Sequence, residues 1–148
     1  MNNIFFDLDG TIVNLYGVDN WLEKLRNFDA SPYEEASPLI DISELEDILI
    51  DIQSMGIKIN ILSALAKVSN DTYDREVTNA KIKWVKTHFK HLKFDNIIII
   101  PYNSPKESYG TTDDIIFDDS TSVRNNWCGI AYDVNNIISD LHTIKATI

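Results

Sequence analysis

Cys128 is the only cysteine in 148 residues, which excludes an intrachain disulfide and any metal site built from clustered thiols. Basic residues are scarce. Thirteen Lys and Arg stand against 23 Asp and Glu, a formal charge of −10 that argues against an extended nucleic-acid surface. An acidic chain still accepts an anionic substrate where a cation or a cluster of donors reverses the field locally. Long hydrophobic runs are missing as well: the longest fully apolar run is Ile97–Ile100, far short of a membrane span. The opening Met-Asn-Asn-Ile-Phe-Phe-Asp has neither the basic nor the apolar region of a secretory leader. A soluble, reducing, cytoplasmic setting and no membrane partner are the expectation. Glycine (5) and proline (4) are few, and there is no internal repeat or low-complexity stretch. With 44% hydrophobic and 24% charged residues, the chain has the balance of one globular domain over 1–148.

Five short apolar runs read as strands: Ile4–Phe6, Ile57–Leu62, Ile97–Ile100, Ile115–Phe117 and Gly129–Tyr132. Most are continuous rather than alternating, the pattern of strands covered on both faces of a parallel sheet. Between them lie stretches with helical spacing. Ile42, Leu45, Ile48, Leu49 and Ile52 form one apolar stripe, opened by Asp41 or Ser43 and closed near Gly56. Glu76–Phe89 carries a second, through Val77, Ala80, Trp84, Val85 and His88. Ser120 or Thr121 caps a short helix to Asn126, and Ile137–Ile144 closes the chain. Alternating strands and helices predict an open α/β sheet with its ligand at the carboxyl ends of the strands. One stretch breaks the rhythm: residues 14–38 hold Tyr16, Trp21, Phe28 and Tyr33, two prolines and a short helix near Asn20–Arg26. A connection of this length reads as a small cap or lid insertion, or as a helical flap burying its own aromatics.

The strongest chemical signal is Asp7-Leu8-Asp9-Gly10-Thr11, directly after the first strand. Two carboxylates one residue apart at a strand end can share a divalent cation, or divide the work of nucleophile and proton carrier. Gly10 permits the tight turn that brings the backbone close to an oxyanion. A calcium loop is excluded, because the position that would carry its closing acid is Val18. A second acidic pair, Asp118-Asp119, ends the later strand Ile115–Phe117. Adjacent carboxylates repel unless a cation or a lysine neutralises them, so the two pairs together predict a Mg²⁺ site. Ser63 and the N–H of Ala64, at the end of Ile57–Leu62, are candidate phosphate donors. Cys128 reads as a packing residue, and His88 and His91 as structural.

In this order the pieces resemble the haloacid dehalogenase-like superfamily of phosphohydrolases, over Asn3 to about Val134. A narrower likeness, to the 5′(3′)-deoxyribonucleotidases, lies in Ala80-Lys81-Ile82-Lys83-Trp84-Val85 and in Asp118-Asp119 followed by Asn125, Trp127 and Gly129. The resemblance implies a three-layer, Rossmann-like α/β/α fold with a parallel five-stranded sheet of order 3-2-1-4-5. It implies Asp7 as nucleophile forming an aspartyl-phosphate, and Asp9 as general acid and then base. Ser63 and Ala64 would bind the phosphoryl group. Mg²⁺ would be held by Asp7, the Asp9 carbonyl and Asp119, with Asp118 an outer ligand or a lysine partner.

Two lysines compete for the phosphate. Lys81, matching where the nucleotidases place their lysine near a helix start, is favoured as catalytic; Lys106, after the third strand and matching the position used elsewhere in the superfamily, is the alternative phosphate-binding residue. The loser, like Lys83, Lys86, Lys90 and Lys93, is expected on a solvated surface. Tyr16 and Trp21 are the candidate cap residues facing a small phosphorylated substrate, a nucleoside monophosphate by the narrower likeness. Phosphatase action on polynucleotide ends, or on another small phosphoester, is the alternative. A non-catalytic receiver-like module, carrying phosphate on an aspartate, is the reading from another class.

Overall fold

The computed structural model describes all of residues 1–148. Its five strands are β1 (Asn3–Phe6), β2 (Lys58–Ala64), β3 (Asn96–Ile100), β4 (Ile115–Phe117) and β5 (Ile130–Tyr132). All pair in parallel, in the order β3-β2-β1-β4-β5. The helices are α1 (Trp21–Arg26), α2 (Ser31–Glu35), α3 (Ile42–Ser54), α4 (Asp71–His88), α5 (Thr121–Asn126) and α6 (Ile137–Ala146). None is long and apolar enough to cross a membrane.

The period-two alternation of the strands sorts the core onto two faces. Ile4, Phe6, Ile59, Ile61, Ile115 and Phe117 point to one face, where α3, α6 and the end of α4 bury Leu45, Leu49, Leu141, Trp84 and Val85 against them. Phe5, Leu62 and Ile116 point to the other, where Ile100, Trp127 and the half-buried Val123 of α5 make a smaller cluster. Right-handed crossovers account for this division: the chain winds outward from β1 to β3 through α3 and α4, then returns past β1 to begin β4 on the far side. The return opens a crevice at the carboxyl ends of β1 and β4, where the strand order reverses direction.

Local chemistry sets the helix ends. Asp41 caps α3 by accepting from Glu44 N (3.1 Å), and Ser120 caps α5 by accepting from Val123 N. Helix α4 starts five residues before the apolar stripe, because Asn70 caps it (Tyr73 N to Oδ1, 2.8 Å) and Asp71 and Asp74 favour its amino end. That extension places Lys81 in mid-helix, not near a helix start as the nucleotidase likeness implied.

Residues 14–38 leave and rejoin the body on paired backbone, Asn14 N to Ser37 O (2.8 Å) and Leu39 N to Ile12 O (2.7 Å). Between these ties lie a 3₁₀ turn at Leu15–Gly17 and helices α1 and α2, whose Leu15 and Tyr33 pack on Tyr73, Val77 and Ala80 of α4. Cys128 departs from expectation. It is exposed in the turn before β5, because the adjacent Trp127 takes the core position and donates Nε1–H to Asp114 O (3.1 Å).

A polar ladder crosses the amino-terminal end of the sheet. Asn96 donates to Asn60 Oδ1 (2.8 Å), Asn60 to Asn3 Oδ1 (3.1 Å), and Asn3 to Asp114 Oδ1 (3.1 Å). Asn60 is fully buried. Asn60→Ala removes both links that the buried amide makes and should cost about 1–3 kcal/mol, read as a lowered urea midpoint with unchanged slope. An unshifted midpoint would show that the ladder contributes nothing to stability.

Candidate active site

The register of the central strands decides what meets at the crevice. Phe6 lies beside Phe117, so Asp7 and Asp118 emerge side by side, with Asp7 N donating to Phe117 O (3.0 Å). Beyond Asp7 the chain folds back at once: the N–H groups of Thr11, Ile12 and Val13 all point to Leu8 O. Gly10, at φ +80°, makes this turn, and a Cβ there would lie 2.2 Å from Asp119 Oδ2. A side chain at position 10 is excluded by both the backbone conformation and the second acidic pair.

Carboxylate oxygens of Asp7, Asp118 and Asp119 all lie within 4.8 Å of one another. Lys106, on the 3₁₀ turn after β3, ties two of them together: its Nζ lies 3.0 Å from Asp7 Oδ1 and 2.7 Å from Asp118 Oδ2. Thr11 Oγ1 donates to the other oxygen of Asp7 (3.2 Å). Asp118 is also anchored by Ser120 N (2.9 Å to Oδ1), and Arg124 Nη1 holds its carbonyl (2.8 Å). Asp119 alone of the three is exposed. Burial by itself would lower the Lys106 pKa, but Asp7 and Asp118 outweigh it and hold the ammonium charged. Asp118 is raised by burial and by Asp7, against the pull of Lys106. Asp119 is pushed up to about 7, first by desolvation and then by Asp7.

The second acidic residue of the first pair has its own lysine. Lys81 Nζ lies 2.8 Å from Asp9 Oδ2, 2.7 Å from Ser63 Oγ and 2.7 Å from Ala64 O. Burial raises the Asp9 pKa; Lys81 opposes this and Asp7 adds to it. The expectation that one of the two lysines is solvated is corrected here, since Lys81 and Lys106 are 1% and 7% exposed. Lys83, Lys86, Lys90 and Lys93 are exposed. The apolar stripe of α4 hides the difference, because Lys81 lies beside Ala80 and Trp84 on the buried side.

A cleft of about 810 Å³ opens over these groups. Asp7, Asp9, Ala64, Lys106, Asp118 and Asp119 form its floor; Ser63 and Lys81 lie behind it. Tyr16 and Trp21 share one wall, their rings 4.9 Å apart edge to face. The carboxylates below reinforce desolvation in pushing the Tyr16 phenol up to about 12, so it stays neutral. Tyr33 lines the cleft deeper in, whereas Phe28 turns away to pack against Tyr73. His88 stacks on Trp84, 4.0 Å between centroids. Sequence reasoning assigned no place in the site to Thr11 or Arg124, read Ser120 only as a helix cap, and left out the opposite wall at Tyr102, Asn103 and Ser104. The wall lies in an irregular loop without periodicity, whereas the helix cap at Ser120 was a legible signal.

No protein family matches the sequence, and no curated protein matches it. Among solved structures, the chain is similar to D,D-heptose 1,7-bisphosphate phosphatase from Burkholderia thailandensis, with a TM-score of 0.57 at 9% identity over 97% of this chain and 98% of that one. It also matches the HAD domain of the effector protein Lem4 from Legionella pneumophila, with a TM-score of 0.48 at 16% identity over 99% and 94% of the two chains. The first likeness shows the fold: a five-stranded parallel sheet of order 3-2-1-4-5 flanked by helices, shared with a phosphatase along its whole length.

The crowded carboxylates have a consequence for stability. In the folded protein Asp119, with its pKa near 7, keeps a proton that the unfolded chain, near 3.8, has released. Folding thus binds a proton across this window, so stability without metal falls as pH rises from about 4 to 7. Asp9 and Asp118 act in the same direction. Asp119→Asn should flatten the decline, as measured by chemical unfolding in EDTA at pH 5 and pH 8. An unchanged pH slope in the variant would refute the assignment.

Proposed function

We propose that the chain is a Mg²⁺-dependent phosphohydrolase of the haloacid dehalogenase-like superfamily, acting through an aspartyl-phosphate on a small phosphoester, a nucleoside monophosphate above others. In this reading residues 1–148 form one catalytic domain and 14–38 its cap. The observation that carries it is the convergence of Asp7, Asp118 and Asp119 with the buried Lys106 on the floor of one cleft.

The donor set fits the metal. Hard carboxylate oxygens within 4.8 Å of one another, one of them exposed, suit an ion that takes few protein ligands and keeps several waters. Asp7, Asp119 and the Asp9 carbonyl would hold it, with Asp118 committed chiefly to Lys106. When bound, the ion supplies positive charge against the phosphoryl oxygens.

The residues of the chain divide the remaining work. Thr11 Oγ1 and Lys106 Nζ hold the two oxygens of Asp7 in place, so that the carboxylate is oriented for attack at phosphorus. Attack of Asp7 on phosphorus breaks the bond to the leaving oxygen, which takes a proton from Asp9. Asp9, now a base, removes a proton from the water that hydrolyses the acyl phosphate. Burial favours the protonated form that the first step requires. Lys106 uses two of its three donors on Asp7 and Asp118, leaving one for a phosphoryl oxygen. Tyr16 and Trp21 offer an aromatic wall to a base.

A second reading, the end of a polynucleotide, has one observation in its favour. Arg26 and Lys67 line the same cleft, are exposed, and make no ion pair, so they are free to meet a second phosphate.

Phosphate release from nucleoside monophosphates, short oligonucleotides and simple phosphoesters, with Mg²⁺ and with EDTA, tests the reading. Release should require the metal and fall by at least ~10³-fold in Asp7→Asn. Lys106→Ala should cost ~10²-fold or more in kcat. Absence of release from every substrate would overturn it, and a preference for oligonucleotides would favour the second reading.

A further inference from the structure

Lys81 is buried, and every donor of its ammonium is engaged within the protein. Its ammonium carries three protons, and the structure provides three acceptors: Asp9 Oδ2 at 2.8 Å, Ser63 Oγ at 2.7 Å and Ala64 O at 2.7 Å. No donor is left over for a substrate. The side chain is 1% exposed and does not reach the cleft that Lys106 lines. Tyr33 closes it off, with the ammonium 5.1 Å from the centre of its ring. Asp9 does reach the cleft, and its Oδ1 has no protein donor. One carboxylate oxygen is therefore held by Lys81, while the other, in a residue that lines the cleft, has no protein partner.

We propose that Lys81 is a positioning residue, not a phosphate ligand: it clamps Asp9 Oδ2 through a relay to Ser63 and the end of β2, so that Oδ1 is presented to the leaving oxygen. The inference rests on the phosphohydrolase reading, in which Asp9 is the general acid. Ser63 then serves first as the acceptor that orients Lys81. Its fully buried hydroxyl lies behind the floor and not on it. Two lysines thereby have separate duties. Lys106 serves the nucleophile and the phosphoryl oxygens, and Lys81 serves the proton.

The step in question transfers a proton from Asp9 to the leaving oxygen as its bond to phosphorus breaks, and leaves Asp9 as carboxylate. Its weight depends on the leaving group. An alkoxide requires the proton, whereas 4-nitrophenolate departs without it, and general acid catalysis is worth ~10²–10⁴-fold where it is needed. Single-turnover release of the leaving group isolates this step from hydrolysis of the acyl phosphate. For wild type, Lys81→Met, Ser63→Ala and Lys106→Met, it should be measured with 4-nitrophenyl phosphate and with an alkyl phosphate that the enzyme turns over.

Lys81→Met should lower the alkyl rate at least ~30-fold more than the aryl rate, and Ser63→Ala should bias it the same way by a smaller factor. Lys106→Met should depress both rates together and leave their ratio intact. Equal losses on the two substrates in Lys81→Met and Ser63→Ala would overturn the inference, since a phosphate ligand or a purely structural residue behaves so. If Lys81→Met does not fold, Ser63→Ala decides alone: a biased ratio supports the inference and an equal loss removes it. A wild-type protein inactive on every substrate would instead bring down the phosphohydrolase reading, and the inference with it.

Discussion

Everything in this structure depends on keeping four carboxylates at the ends of two neighbouring strands without driving the strands apart. Asp7 and Asp118 are buried, Asp9 is partly so, and only Asp119 is exposed. In a medium of reduced dielectric, like charges at these separations repel strongly unless they are protonated or paired. The fold answers with two buried ammonium groups from different elements. Lys106 arrives on the turn that follows β3, and Lys81 from the middle of α4. Each is a compact charge that can be surrounded by acceptors, which is why lysine and not arginine suits these crowded positions.

The rest of the architecture is arranged around that neutralisation. The return of the chain past β1 to begin β4 makes the two acidic pairs neighbours, and parallel register brings Asp7 beside Asp118. The thin face of the sheet leaves room for Lys106 to pass over the strand ends, since only α5, Trp127 and a short turn cover it. The thick face, built on α3, α4 and α6, supplies the rigidity against which the polar floor is held. Residues 14–38 add Tyr33 as a lid on Lys81 and Tyr16 with Trp21 as a wall of the cleft. The same insertion thus shields a charge on one side and lines the cleft on the other.

Much of this was legible in one dimension. Continuous apolar runs such as Ile115–Phe117 announced buried strands, although Ile97–Ile100 forms an edge strand in which only Ile100 is buried. The stripe from Ile42 to Ile52 announced α3 almost to the residue. The two acidic pairs were visible because each directly follows an apolar run, and the expected strand order came with the resemblance that they carry. Other features were hidden. Lys81 and Lys83 look alike in sequence, yet one is buried against Asp9 and the other is exposed beside Glu34. Cys128 and Trp127 are adjacent, yet Trp127 enters the core and Cys128 is exposed.

By itself the sequence determined the elements and their order along the chain, because hydrophobic periodicity, caps and turn residues act over a few positions; the order of strands across the sheet was an expectation drawn from resemblance. Which lysine meets which carboxylate was decided only by the tertiary structure. Asp9 and Lys81 are separated by 72 residues, and Asp7 and Lys106 by 99. Contacts over such distances follow from the path of the backbone between them, and no local pattern records that path.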